Sequence, residues 1–159
     1  MAKIINLEVL ETEIESIKRA WQSIVLVGGC FDILHVGHIK FLKEAKKNGD
    51  YLLVLLESDK TVKKLKGGNR PNFQQKDRAE VLASIKYVDS VVLLDPIGKD
   101  EEYSKLIAQI RPDIIAITEN DPIMEKKKNQ AKMVGGKLVE IPHIKTYSSS
   151  QIAKLIGIE

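Results

Sequence analysis

Short apolar runs alternate with helix-periodic segments along nearly the whole chain, and this alternation restricts the possible fold more than any other feature. The runs are SIVLVGG (23–29), YLLVLLES (51–58), DSVVLLD (89–95), PDIIAIT (112–118) and KLVEIP (137–142). Near-continuous apolarity of this kind marks strands buried on both faces. Helices are expected at 7–20, where Leu7, Leu10, Ile14 and Ile17 recur at helical spacing, and at 38–49, with Gly49 as the C-terminal stop. Others are expected at 74–87, 99–110, 122–136 and 148–156, the last with serines as natural N-caps. The segment DKTVKKLKGGNRPNF (59–73) breaks the pattern and reads as a basic, glycine-bearing loop. The order predicts an α/β fold: a Rossmann-like, doubly wound parallel sheet of five strands with helices on both faces. The length suits one domain over 1–159, with 1–22 as an N-terminal helical extension.

The composition narrows the function classes. With 43% hydrophobic and 30% charged residues, no apolar run approaches the roughly 20 residues of a membrane helix, so no membrane partner is expected. The N-terminus lacks the basic start and apolar centre of a signal peptide, which points to the cytoplasm. Cys30 is the single cysteine, so an internal disulfide is excluded. The net charge of +3 rests on dispersed lysines, and EKKKNQAK (125–132) reads as a solvated helix face, so no nucleic-acid partner is expected.

The first of these strands ends at Gly28–Gly29, and in such sheets ligands bind beyond the carboxyl ends of the strands. There the sequence places two of its three histidines, His35 and His38, around Gly37. His38 falls in the first turn of a helix, whose free N–H groups and dipole favour an anion such as phosphate. Gly37 allows close backbone approach, and two imidazoles three residues apart can face one ligand. That suits phosphoryl or nucleotidyl transfer, in which the enzyme mainly positions groups and neutralises charge. Two histidines that merely satisfy core hydrogen bonds are the plainer alternative, and the glycine-containing turn after a strand weighs against it. A zinc site would need a third ligand from Asp32, Cys30 or His143 without metal-type spacing, and the G-x-G-x-x-G dinucleotide fingerprint is absent. Redox chemistry at Cys30 would rest on a single residue. Gly29 and Cys30 join the nucleotide-binding candidates, while Lys64, Lys66 and Arg70 carry charge suited to triphosphate or substrate phosphate. Arg78 is expected to brace the basic loop.

GGCFDILHVGHIKFLKEAKK resembles the HxGH signature of the cytidylyltransferase-like nucleotidyltransferases. The likeness extends, through INLEVLETEIESIK, KKLKGGNRP and DRAEVLASIKYVDSVV, to the adenylyltransferase module that activates heptose 1-phosphate. It covers roughly the first 115 residues. The resemblance implies attack by a substrate phosphate on the α-phosphate of a nucleoside triphosphate, with release of pyrophosphate and a Mg²⁺ cofactor. It assigns catalysis to His35, His38 and Lys66 and places Phe31 and Asp32 in the same site. It also implies ATP and heptose 1-phosphate as the leading substrate pair, and a homodimer. A cytidylyltransferase for glycerol 3-phosphate or another alcohol phosphate is the alternative within the class. A non-catalytic nucleotide sensor is the alternative outside it, disfavoured by intact His35, Gly37 and His38.

Two segments depart from the resemblance. ITENDP (117–122) lacks a glycine expected near the base, so Asn120 or Asp121 either reads a base edge or simply shapes a turn. In HIKTYSSSQI (143–152), Thr146 stands where relatives have glycine, and Ser149 and Ser150 are the candidates for phosphate contact, with Ser148 as N-cap. His143, just upstream, either joins the site or, as is more usual for a lone histidine after a strand, is structural.

Overall fold

The computed structural model describes residues 1–21 and 23–158. Its strands are β1 (Lys3–Asn6), β2 (Ile24–Gly29), β3 (Tyr51–Leu56), β4 (Ser90–Leu93), β5 (Ile114–Thr118) and β6 (Lys137–Ile141). The helices are α1 (Leu10–Ala20), α2 (Val36–Lys46), α3 (Asp59–Lys66), α4 (Gln75–Ala83), α5 (Asp100–Ile110), α6 (Met124–Met133) and α7 (Ser149–Leu155). All pairings are parallel, in the order β1-β4-β3-β2-β5-β6.

Alternation along the strands divides the core into two layers. Ile24, Leu26, Leu53, Leu55, Ile115 and Ile117 meet Leu10, Ile14 and Ile17 of α1 and Leu106, Ile107 and Ile110 of α5. Val25, Val27, Leu52, Val54 and Leu56 face Leu42 and Ala45 of α2 and Ala79 and Leu82 of α4. Helices thus cover both faces, as the alternating sequence predicts.

The sheet has six strands, one more than expected. The extra strand, β1, pairs with β4 from Lys3↔Ser90 to Asn6↔Leu93, so residues 3–6 of the expected helical extension are an edge strand, and its helix is α1. Only Ile5 of its four residues is buried, which leaves too little pattern to detect. The second difference is α3, which takes up half of the expected basic loop. Ser58 caps it by accepting from the Thr61 N–H (3.2 Å), Val62 anchors it in the core, and Gly67 ends it at φ 69°, a conformation that favours glycine. Gly49, expected as a helix stop, lies three residues beyond the end of α2, where a Cβ would come within 2.7 Å of the Val25 side chain.

The register opens the site. β2 stays paired with β3 as far as Gly29↔Leu56, but pairs with β5 only at Val25↔Ile114 and Leu26↔Ile115. Beyond Leu26, β2 and β5 part at the point where the strand order reverses, leaving a crevice at their carboxyl ends.

Candidate active site

A cavity of about 1090 Å³ fills that crevice. Gly28 to Phe31 and the start of α2 form one wall, Ala116 to Thr118, Asp121 and Lys127 another, and the segment Pro142 to Gln151 closes it.

His35 is the N-cap of α2 and His38 its third residue, and together they form a reciprocal capping box. Nδ1 of His35 accepts from the Gly37 N–H (3.1 Å), while Nδ1 of His38 accepts from the His35 N–H (3.3 Å). Both Nδ1 atoms are therefore acceptors, so each neutral ring carries its proton on Nε2. Burial lowers the pKa of His35, and burial, then His35 and Lys66, lower that of His38 from 6.5 to about 4. The pair consists of neutral Nε2–H donors at physiological pH, not of imidazolium cations. The cap also occupies the N–H of Gly37, so this amide is not one of the free helix N–H groups expected from sequence.

The rings lie 4.0 Å apart, and Phe31 packs against His38 at 5.4 Å. Phe31 reaches that position from a left-handed backbone (φ 45°), a strained state for a large side chain. Gly37 is sterically required: a Cβ would come within 2.8 Å of His35 Cε1 and 2.9 Å of Thr146 Cγ2.

Of the sequence candidates, Gly29, Cys30, Phe31, His35, Gly37, His38, Lys66, Asp121, Ser149 and Ser150 line the cavity, and Asp32, Lys64, Arg70 and Asn120 do not. Asp32 turns inward and accepts from the N–H groups of Asn72 (2.8 Å) and Phe73 (3.0 Å) and from Arg70 Nε (2.5 Å). Arg70 is only 3% exposed, pairs with Asp32 and reaches Ser150 Oγ at 3.4 Å, so its guanidinium ties the Phe31–Asp32 turn to α7. Lys64 follows buried Val62 by two residues, about 200° around α3, whereas Lys66 lies one turn from Val62 and faces the site. Asn120 occupies a left-handed turn (φ 61°) and is exposed. Asp121 pairs with Lys127 at 2.9 Å, and Ser149 Oγ donates to the Ile33 carbonyl at 3.1 Å.

Arg78 has the bracing role expected of it. It is 2% exposed, and its guanidinium donates to the carbonyls of Cys30 (2.5 Å), Glu57 (3.0 Å) and Phe73 (3.0 Å) and to Asp59 (2.7 Å). His143, weighed from sequence as a residue that could join the site, lines the cavity, as do Lys127 and Lys145, which were not singled out from sequence. Their signal was positional: each follows the carboxyl end of a strand on the far side of the crevice. Among the described residues, no group of three His, Cys, Asp or Glu side chains is placed to hold a metal, and Asp121 is the sole carboxylate in the lining.

The cytidylyltransferase-like family model matches residues 26–154. The chain is 46% identical to the bifunctional protein HldE of Campylobacter fetus over 71% of its length, and 36% identical to that of Methylobacillus flagellatus over 98%. It spans only 23% and 31% of those two proteins. The FAD synthase of Pyrococcus horikoshii is 43% identical over 83% of the chain, with 88% of that protein covered. Among solved structures, a lipopolysaccharide core biosynthesis protein from Thermoplasma volcanium superposes with a TM-score of 0.61 at 30% identity, covering 79% of this chain and 98% of that one. The pantoate-beta-alanine ligase of Francisella tularensis shares the fold (TM-score 0.65, 19% identity, 92% of this chain and 69% of that one).

Proposed function

The chain belongs to the cytidylyltransferase-like family, and from that premise we propose that it is a nucleotidyltransferase acting on a small phosphorylated sugar or polyol. A phosphate oxygen of the acceptor attacks the α-phosphorus of a nucleoside triphosphate, a new P–O–P bond forms, and pyrophosphate leaves. The observation that carries this reading is the pair of backbone-locked, neutral imidazoles beside Lys66 at the crevice. Two fixed Nε2–H donors can receive charge that builds on phosphoryl oxygens without reorganising, and Lys66 adds a mobile cation. The cavity slightly exceeds the roughly 300–1,000 Å³ of usual small-molecule sites, leaving room for both substrates.

ATP with heptose 1-phosphate is the leading pair. The FAD synthase relatives, matched over most of their length, favour a second acceptor, the ribityl phosphate of a flavin mononucleotide. A cytidylyl donor with glycerol 3-phosphate is the third combination. A Mg²⁺ ion that arrives on the triphosphate would keep mainly phosphate and water ligands, and Asp121, the one carboxylate in the described lining and paired with Lys127 in its absence, would be the residue to hold it. Bound there, the ion would neutralise phosphate charge. The protein would work in the cytoplasm as a homodimer, without nucleic acid or membrane. Among the described residues no helix is long and apolar enough to cross a membrane.

A pyrophosphate-release screen tests the reading: four nucleoside triphosphates against heptose 1-phosphate, flavin mononucleotide and glycerol 3-phosphate. Acceptor-dependent release is expected for at least one combination. Nucleotide binding without release in any of them would favour the sensor.

A further inference from the structure

The carboxyl end of β3 carries an acid for which the chemistry above has no use. Glu57 follows β3 directly, its N–H donates to the Gly29 carbonyl (3.1 Å), and its own carbonyl accepts from Arg78 (3.0 Å). Its backbone is thereby fixed beside Gly29 and Cys30, both of which line the cavity. Alternation along β3 puts its side chain on the face of Leu53 and Leu55, and there Tyr103 of α5 donates its hydroxyl to Oε1. The other oxygen, Oε2, is buried and has no hydrogen-bond partner among the described residues, in a residue only 8% exposed.

Leaving a buried carboxylate oxygen unmatched is costly, so a site that keeps one needs a reason. Burial raises the carboxyl pKa from 4.5 to about 7 against the pull of Arg78 and Lys127. Cys30 and Lys127, which interact electrostatically with Glu57, line the crevice at the end of β2 and on α6. Glu57 is not itself among the lining residues: its carboxyl sits behind the wall that Gly29 and Cys30 form, on the α5 face of the sheet, whereas α2 and its histidines pack on the opposite face. A carboxylate on that side repels phosphate and attracts a hydroxyl.

We propose that Glu57 determines acceptor specificity, with Oε2 accepting a hydrogen bond from a hydroxyl of a polyhydroxylated phosphate bound across the sheet crest from the paired histidines. This rests on the nucleotidyltransferase reading. Sites built to bond a substrate hydroxyl discriminate strongly against analogues that lack it, because their own polar group is then stranded. Glu57 thus selects hydroxyl-rich acceptors over bare alkyl phosphates, and Tyr103 orients it.

The test compares wild type, Glu57→Gln and Tyr103→Phe with heptose 1-phosphate and flavin mononucleotide as hydroxylated acceptors and pentyl phosphate as the hydroxyl-free one. Glu57→Gln should raise KM for the better hydroxylated acceptor about tenfold or more, as for loss of one charge-assisted bond. KM for the nucleotide, and turnover of pentyl phosphate, should stay within about twofold. Tyr103→Phe should move the same KM in the same direction by a smaller factor, and it decides the matter if Glu57→Gln does not fold. An unchanged acceptor KM in the folded variants, or equal losses for nucleotide and acceptor, would overturn the assignment. A wild type that transfers to no phosphate acceptor removes the functional reading itself, whereas an active wild type with silent variants removes only the role of Glu57.

Discussion

His38 and Glu57 serve opposite faces of one sheet crest, and burial moves their protonation in opposite senses. His38 is held near 4, below its ordinary 6.5, so between those values the unfolded chain binds more protons and stability rises with pH. His35, also lowered, adds to the same slope. Glu57 is raised from 4.5 to about 7, so over that window the folded chain binds more protons and stability falls as pH rises. The two slopes oppose each other where the windows overlap. Glu57→Gln removes the falling one, so its Tm should climb more steeply than the wild type's on going from pH 4.5 to 6.5. Parallel Tm profiles for the two proteins would contradict the assigned shifts. Arg70 makes a different residue-scale case. Charge in a basic segment suggests a phosphate clamp, but its guanidinium is buried against Asp32. Arg70→Lys should therefore cost about 1–3 kcal/mol in urea unfolding, because lysine keeps the charge and loses the fork. Nucleotide KM should be nearly unchanged, and the reverse pattern would return Arg70 to substrate binding.

At the scale of elements, sequence was most informative where burial was two-sided. The five expected strands are all present within two residues of their expected ends, because continuous Val/Ile/Leu runs admit few alternatives. The α2 turn was legible for a similar reason: His-x-Gly-His after a strand leaves little else to build. α3 was misread because its lysines and following glycines resemble a loop, while its evidence was the Ser58 cap and one buried valine. β1 was lost for shortness, and Lys127 and Lys145 because nothing local links them to a crevice that only strand order creates. The α3 assignment has a direct consequence. Amides of residues 63–66 should be protected from hydrogen exchange without nucleotide, and those of 68–69 should not. Protection of 63–66 that appears only with nucleotide would restore the loop reading of this segment.

Across the whole molecule, the parting of β2 from β5 makes the site, and the parallel sheet holds its walls from six strands. Exposed Phe73, Leu155 and Ile156 leave apolar surface outside the cavity, consistent with the proposed homodimer. Light scattering at micromolar concentration should give twice the 17.8 kDa chain mass, and a monomeric mass would end that proposal. The central claim is transfer of a nucleotidyl group at the paired histidines, and the most direct measurement follows the α-phosphate itself. With nucleoside triphosphate labelled at the α-phosphorus, the label should appear in the acceptor product in a one-to-one ratio with pyrophosphate. His38→Ala, still folded, should slow that transfer by about two orders of magnitude, roughly 3 kcal/mol of lost transition-state stabilisation. Label that stays in free nucleotide, or transfer undiminished in His38→Ala, would contradict the account.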